Sequence, residues 1–192
     1  MNRGKIAFPG FATPAAGFEA PLEMLAACHG RVEDQCATLE RLPAHLAAHG
    51  ADRAAREAAQ GALRYFDTSA RHHHADEEQD LFPALLACAA PAGRPALEAL
   101  IAGLRAQHRE LERRWAGVRT QLEALARADG VPARAHPTSL NAEDVTQLCG
   151  LYRAHIAREE DELLPLAARS LALAQLDALG RAMRLRRGIK EI

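Results

Sequence analysis

Apolar residues recur at alternating spacings of three and four along four separate stretches of the chain, the repeat of a helix that turns one face to a core. The third stretch is the cleanest: Leu97, Ile101, Leu104, His108, Leu111, Trp115, Val118, Leu122 and Leu125. The first reads Leu22, Leu25, His29, Val32, Cys36 and Leu39, and the second Leu63, Phe66, Ala70, His73, Glu77, Leu81 and Ala84. The fourth reads Val145, Leu148, Tyr152, His155 and Glu159, then Glu162 or Leu163, then Leu166. Breakers separate these rows. Pro21 opens the first, and His49-Gly50-Ala51-Asp52 ends it. A second break is Pro91-Ala92-Gly93-Arg94-Pro95, and the longest runs from Asp129-Gly130-Val131-Pro132 through His136-Pro137-Thr138-Ser139. Asn141, with Asp144 three residues on, has the chemistry of an N-cap.

The pattern predicts helices over about 21–47, 52–89, 95–128 and 142–170, with a short C-terminal helix over about 172–185. Short connections between long helices imply antiparallel neighbours. The expected fold class is therefore all-α: an up-down-up-down four-helix bundle over residues 21–170, preceded by an irregular N-terminal arm, 1–20. Residues 171–192 carry the C-terminal helix and a basic tail, Arg184-Leu185-Arg186-Arg187, of the kind that most often ends in solvent.

Composition narrows the field. Val, Ile and Thr fill only 15 of 192 positions, which starves strands, while a 48% hydrophobic content suffices for a sizeable core. Lys and Arg total 24 against 25 Asp and Glu, so there is no basic excess to bind nucleic acid. No apolar run approaches the ~18 residues of a membrane span. Met1–Phe18 is too rich in Gly and Pro for a signal peptide. Cys28, Cys36, Cys88 and Cys149 form no C-x-x-C pair and read as small buried hydrophobes in a reducing compartment. A cytoplasmic location is the expectation, and a homodimer is compatible with the sequence.

Nine His in so short a chain change the picture. Each apolar row contains one imidazole: His29, His73, His108 and His155. The second and fourth rows add Glu77 and Glu159 four residues after their His. A single His on an apolar face is ordinary, but four imidazoles and two carboxylates in one dry core would carry a heavy desolvation cost. A metal ion removes it by neutralising the carboxylates and accepting the imidazole lone pairs. The two His-x-x-x-Glu units also sit in matching contexts. In both, Glu-Glu begins four residues after the His and a proline, Pro83 or Pro165, falls ten after it. Beside these, His72 and His74 fall off the second row, and Asp76, Glu78 and Glu160 read as acids that orient imidazoles from outside.

These residues resemble the hemerythrin-like proteins, the HHE cation-binding domain family, over about residues 21–170. The resemblance implies a four-helix bundle around a non-haem, carboxylate-bridged di-iron centre. Its metal ligands, carried over, are His29, His73 with Glu77, His108, and His155 with Glu159. The oxygen-carrying members have His-x-x-x-His on the third helix, whereas here the second His is replaced by Glu112. Glu112 is accordingly the seventh candidate ligand, with Glu33 a weaker one. Four rather than five imidazoles imply that the ferric state is favoured over reversible oxygenation.

Ligand chemistry agrees with the resemblance. Imidazole and carboxylate without thiolate suit Fe, Mn or Zn, and more than four donors favour two Fe ions over tetrahedral Zn. Glu-x-x-His, His-Glu-x-x-His, a Gly-rich phosphate loop and a G-x-S-x-G elbow are all absent from the sequence. The reading is a metal-binding protein that binds or senses iron or O2-derived ligands, its partner being O2 or another small diatomic or peroxide ligand. The alternatives are a di-iron oxidoreductase acting on O2, peroxide or nitric oxide, and a bundle in which the metal is structural.

Overall fold

The structure, a computed structural model, describes residues 17–128 and 140–189. Among these every regular element is helical. Residues 1–16 of the arm expected over 1–20, and the break at 129–139 with His136, lie outside the described residues. Helix α1, Pro21–His49, starts on a proline whose missing N–H would have had no partner in the first turn. It stops at Gly50, whose φ of 70° is open to glycine at little cost.

A second rod follows as one continuous line of helix with two wide turns in it. Asp52 caps α2, Arg53–Arg64, by accepting from the Ala55 N–H at 2.8 Å. A π turn at Tyr65–Ala70 leads to α3, Arg71–Asp76, and a second at Glu77–Leu81 leads to α4, Phe82–Cys88. The third rod is a single unbroken helix, α5, Arg94–Ala126. In the fourth, Asn141 accepts from the N–H groups of Glu143 and Asp144 and starts α6, Ala142–Arg158. A π turn at Glu159–Leu163 and α7, Leu164–Ser170, complete that rod, and α8, Leu173–Arg186, closes the described chain.

The two matching prolines explain two of the π turns. Pro83 and Pro165 have no N–H, and in α geometry their rings would collide with the carbonyls of Gln79 and Asp161 four residues back. In both rods the preceding N–H reaches back five residues instead: Phe82 donates to the Glu77 carbonyl and Leu164 to that of Glu159. The wide turn therefore begins at the same carboxylate in each copy of the repeat.

α1 packs against α2 and α6, and α5 packs against the same two. The core divides into two apolar clusters. One holds Val32, Phe66, Leu111, Leu122 and Leu148; the other holds Leu25, Leu81, Phe82, Leu104 and Leu163. His29 and His108 lie between residues of the two, so a polar layer crosses the bundle where the apolar stripes are interrupted. All nine members of the Leu97–Leu125 row are buried. In the fourth row the choice falls on Leu163, Glu162 being exposed. Cys88 corrects an expectation: it is exposed at the last residue of α4, while Cys28, Cys36 and Cys149 are buried.

The basic tail is no solvated end either. α8 lies across α1, α3 and the Glu77–Leu81 turn. Arg184 pairs with Glu19 at 2.6 Å and stands over the Phe18 ring. The approach is close at Gly180, where a Cβ would run into the Phe18 carbonyl oxygen. Gly180→Ala is expected to destabilise the fold by about 1–3 kcal/mol, the usual cost of overpacking, and a thermal melt will read it. No helix among the described residues is long and apolar enough to cross a membrane.

Candidate metal centre

Four rods deliver one polar layer. α1 supplies His29, α3 supplies His73, α5 supplies His108 and α6 supplies His155, while Glu77 and Glu159 stand at the first positions of their π turns. Both carboxylates are 0% exposed and none of the four imidazoles exceeds 4%. Glu159 touches all four rings. Its oxygens lie 3.1 Å from Nε2 of His29, 3.0 Å from His155, 3.8 Å from His73 and 3.9 Å from His108. Glu77 lies 3.3 Å from Nε2 of His73 and 3.3 Å from that of His108.

The outer nitrogens are held separately. Nδ1 of His29 donates to Glu160 at 3.0 Å, that of His108 to Glu78 at 2.6 Å, and that of His155 to the Gln107 side-chain oxygen at 3.2 Å. An acceptor on the outer nitrogen fixes the ring's orientation and leaves Nε2 pointing inward. Glu78 and Glu160 thus take the orienting role that the sequence suggests. Asp76 does not. It is wholly buried but turned the other way, clamped by Arg186 of α8 and Arg187 just beyond it.

The inward atoms are orphans. Nε2 of His29, His108 and His155 and all four oxygens of Glu77 and Glu159 are buried without a hydrogen-bond partner. Native interiors satisfy such atoms, so this many unpaired acceptors facing each other is the signature of a cation site. The electrostatics agree. Burial alone would push Glu159 up, yet the surrounding imidazoles hold it well below the usual carboxylate range. Burial alone would push His108 down, yet Glu159 and Glu77 raise it to about 10. His29 and His73 also rise against their own burial, through Glu159 and Glu160 for the one and Glu77 for the other. Burial raises the Cys28 thiol, but the adjacent His73 outweighs it and leaves the thiol below its ordinary value. In the protein alone, imidazolium protons balance the carboxylates; a cation would do the same.

Ligand atoms within 4.8 Å of one another fall into overlapping groups. One is His29, His73, Glu77 and Glu159; a second is Glu77, His108, His155 and Glu159. The two groups share both carboxylates, Glu77 and Glu159. Glu112 is not brought into either. It is exposed, because α5 is a straight helix that keeps it one position off the buried row. Glu33 faces away as well, paired with Arg153 at 3.2 Å.

A third group, His74, His108 and His155, contains a residue the sequence pattern had set aside. His74 is buried at 8% exposure beside His73. Its desolvation and the neighbouring His108 keep it well below the usual imidazole pKa, hence neutral. The signal that would have found it is the pair of π turns on either side of α3. Each inserts an extra residue, so a strict 3.6 period drawn through them misplaces the faces of the six residues between. Next to His74 opens a cavity of about 200 Å³, lined among others by Phe66, Asp67, Trp115 and Tyr152, with Glu112 on its wall. Its wall is braced: the Trp115 indole N–H donates to Asp67 at 2.9 Å, and Arg119 pairs with the same carboxylate at 2.9 Å.

Comparison with known proteins bears on this geometry. The family model described as the hemerythrin HHE cation binding domain matches residues 20–167, which include every residue of the polar layer. An uncharacterised protein of Haemophilus influenzae is 33% identical over 176 residues, covering 92% of this chain and 95% of its own length.

Proposed function

The chain belongs to the hemerythrin HHE cation-binding family, and from that membership we propose that it is a non-haem di-iron protein that binds or senses O2 or another small diatomic or peroxide ligand. The observation that carries the reading is the set of inward, partnerless imidazole and carboxylate atoms of His29, Glu77, His108, His155 and Glu159 on four rods, with Nε2 of His73 beside them at 3.3 Å from Glu77. His29 and His73 would hold one iron, His108 and His155 the other, with Glu77 and Glu159 bridging. The short connections from the first rod to the second and from the second to the third support antiparallel neighbours and an up-down-up-down order for the bundle. Donor chemistry favours iron: no thiolate joins the groups, and taken together the donor residues exceed the four of a single tetrahedral zinc site.

When bound, such a centre supplies a change of oxidation state and coordination room for a small ligand. The protein's own residues prepare for it. Glu78, Glu160 and Gln107 hold the imidazoles of His108, His29 and His155 in one tautomer, so their lone pairs are set before metal arrives. The apolar clusters above and below keep water from the carboxylates. A second reading, an oxidoreductase acting on O2, peroxide or nitric oxide, draws support from the cavity beside His74 and Tyr152, which has room for a small substrate.

The test is metal analysis with an optical spectrum of aerobically purified protein, beside a His73→Ala, Glu159→Ala double variant. About two irons per chain, with charge-transfer bands that vanish in the variant, is the expected result. One zinc, or no metal in a wild type no more stable than the variant, would overturn it. Turnover of peroxide or nitric oxide by the loaded protein would select the second reading.

A further inference from the structure

We propose that the cavity beside the polar layer is a binding site for a small uncharged organic molecule, one with an apolar body about the size of a benzene ring and a hydroxyl head. The inference stands apart from the di-iron reading and needs no metal.

The floor of the cavity supplies the first observation. Tyr152 and His74 line it, and both are more than nine-tenths buried. Among the described residues, neither the Tyr152 hydroxyl nor the His74 ring nitrogens form a hydrogen bond. These atoms are not sealed in either. The sealed side-chain atoms without a partner, among the described residues, belong to the polar layer and to Arg105. Two polar groups at the bottom of a cavity, unpaired and open to it, are set to meet what enters. The His74 ring is held there by its stack on His108, at 4.1 Å and 13°, and the Tyr152 ring lies 6.4 Å off. An occupant therefore sits one ring away from the polar layer.

The walls fix the body of the ligand. Phe66, Ala70 and Trp115 are apolar and buried, and Phe66 packs on both Trp115 and Tyr152, with ring centroids 4.7 and 5.3 Å apart. A cavity of about 150 Å³ takes benzene. At about 200 Å³ this one has room for such a ring and a short polar head.

The mouth fixes the charge. Asp67, Arg71, Glu112 and Arg119 stand there, two of each sign, and Arg119 is paired with Asp67 at 2.9 Å. Such a rim gives no net attraction to an ion of either sign. Any water on Tyr152 and His74 must leave when a ligand enters. A hydroxyl head replaces the hydrogen bonds that water made, whereas an apolar head abandons them.

Trp115 is the chain's single tryptophan and stands in the cavity wall, so its fluorescence reports on this site. The experiment follows that emission in purified full-length protein titrated with benzyl alcohol, toluene or benzoate. The benzyl alcohol series is repeated with Tyr152→Phe, whose fold is checked by melting. Benzyl alcohol should give a saturable change with Kd roughly in the millimolar range, as so few heavy atoms allow. Toluene and benzoate should each bind about tenfold more weakly, and Tyr152→Phe should weaken the alcohol about two- to tenfold.

No saturable change with benzyl alcohol would overturn the proposal. Toluene binding as well as the alcohol would do so too, since that marks an apolar void. Tighter binding of benzoate marks an anion site and has the same force, as does an unchanged Kd in a folded Tyr152→Phe. Should that variant fail to fold, the three wild-type titrations still decide. Metal content enters none of these outcomes, so the di-iron reading and this one stand or fall separately.

Discussion

If the centre holds two metals as proposed, Glu159→Gln is expected to remove both at once, whereas His29→Ala weakens one. The difference follows from contacts. Glu159 faces four imidazoles at 3.0 to 3.9 Å and belongs to both four-residue groups, while His29 belongs to one. The carboxamide keeps the volume but supplies neither the charge nor the second acceptor oxygen that a bridge requires. The loss should exceed the 10–100-fold typical of partners outside the ligand set. Metal content of purified variants reads this directly; a Glu159→Gln protein with a full complement would rule out bridging by this residue.

The same variant changes the metal-free protein's response to pH. His108 is raised from 6.5 to about 10, chiefly by Glu159 and Glu77 working against its burial. A folded chain that holds more protons than the unfolded one loses stability as pH rises. That contribution is complete below about 6.5 and gone above about 10. Metal-free wild type should therefore soften through this window, and Glu159→Gln should soften less. Chemical denaturation at a series of pH values, in chelator, gives both slopes.

Most of the fold follows from spacing because most of it is regular. α5 has no wide turn, and its nine-residue row is buried from Leu97 to Leu125. The repeat of His, Glu-Glu and proline in the second and fourth rods carries more than metal chemistry, since Pro83 and Pro165 also demand the π turns that begin at Glu77 and Glu159. What spacing does not reveal lies where the helix departs from 3.6 residues per turn. His74 is the case in point, and no proline marks the Tyr65–Ala70 turn that rotates it inward. The partner of Asp76 is equally hidden. It lies 110 residues away on α8, and nothing local in either segment pairs them.

That partnership sets the second large effect. Arg186→Ala with Arg187→Ala is expected to cost more stability than Asp76→Ala, although both break the same clamp. Asp76 is wholly buried, whereas the two Arg side chains retain 17% and 16% exposure at the end of α8. Without Asp76 the guanidiniums can turn to water and Arg186 keeps Asp80 at 2.5 Å, so the loss stays near about 1–3 kcal/mol. Without the arginines a buried carboxylate is stranded, at about 3–5 kcal/mol. For a chain this long, that is a fall in Tm on the order of 10 °C. Replacing all three residues by Ala should then recover part of the loss, because the stranded charge is gone. Metal binding will report the same clamp. Asp76 immediately precedes Glu77, and α8 packs on the turn that positions it. The double Arg variant should accordingly bind iron more weakly than wild type at a temperature where both are folded. Should it melt no lower than Asp76→Ala, the carboxylate has found water, and α8 does not hold the Glu77 turn in place.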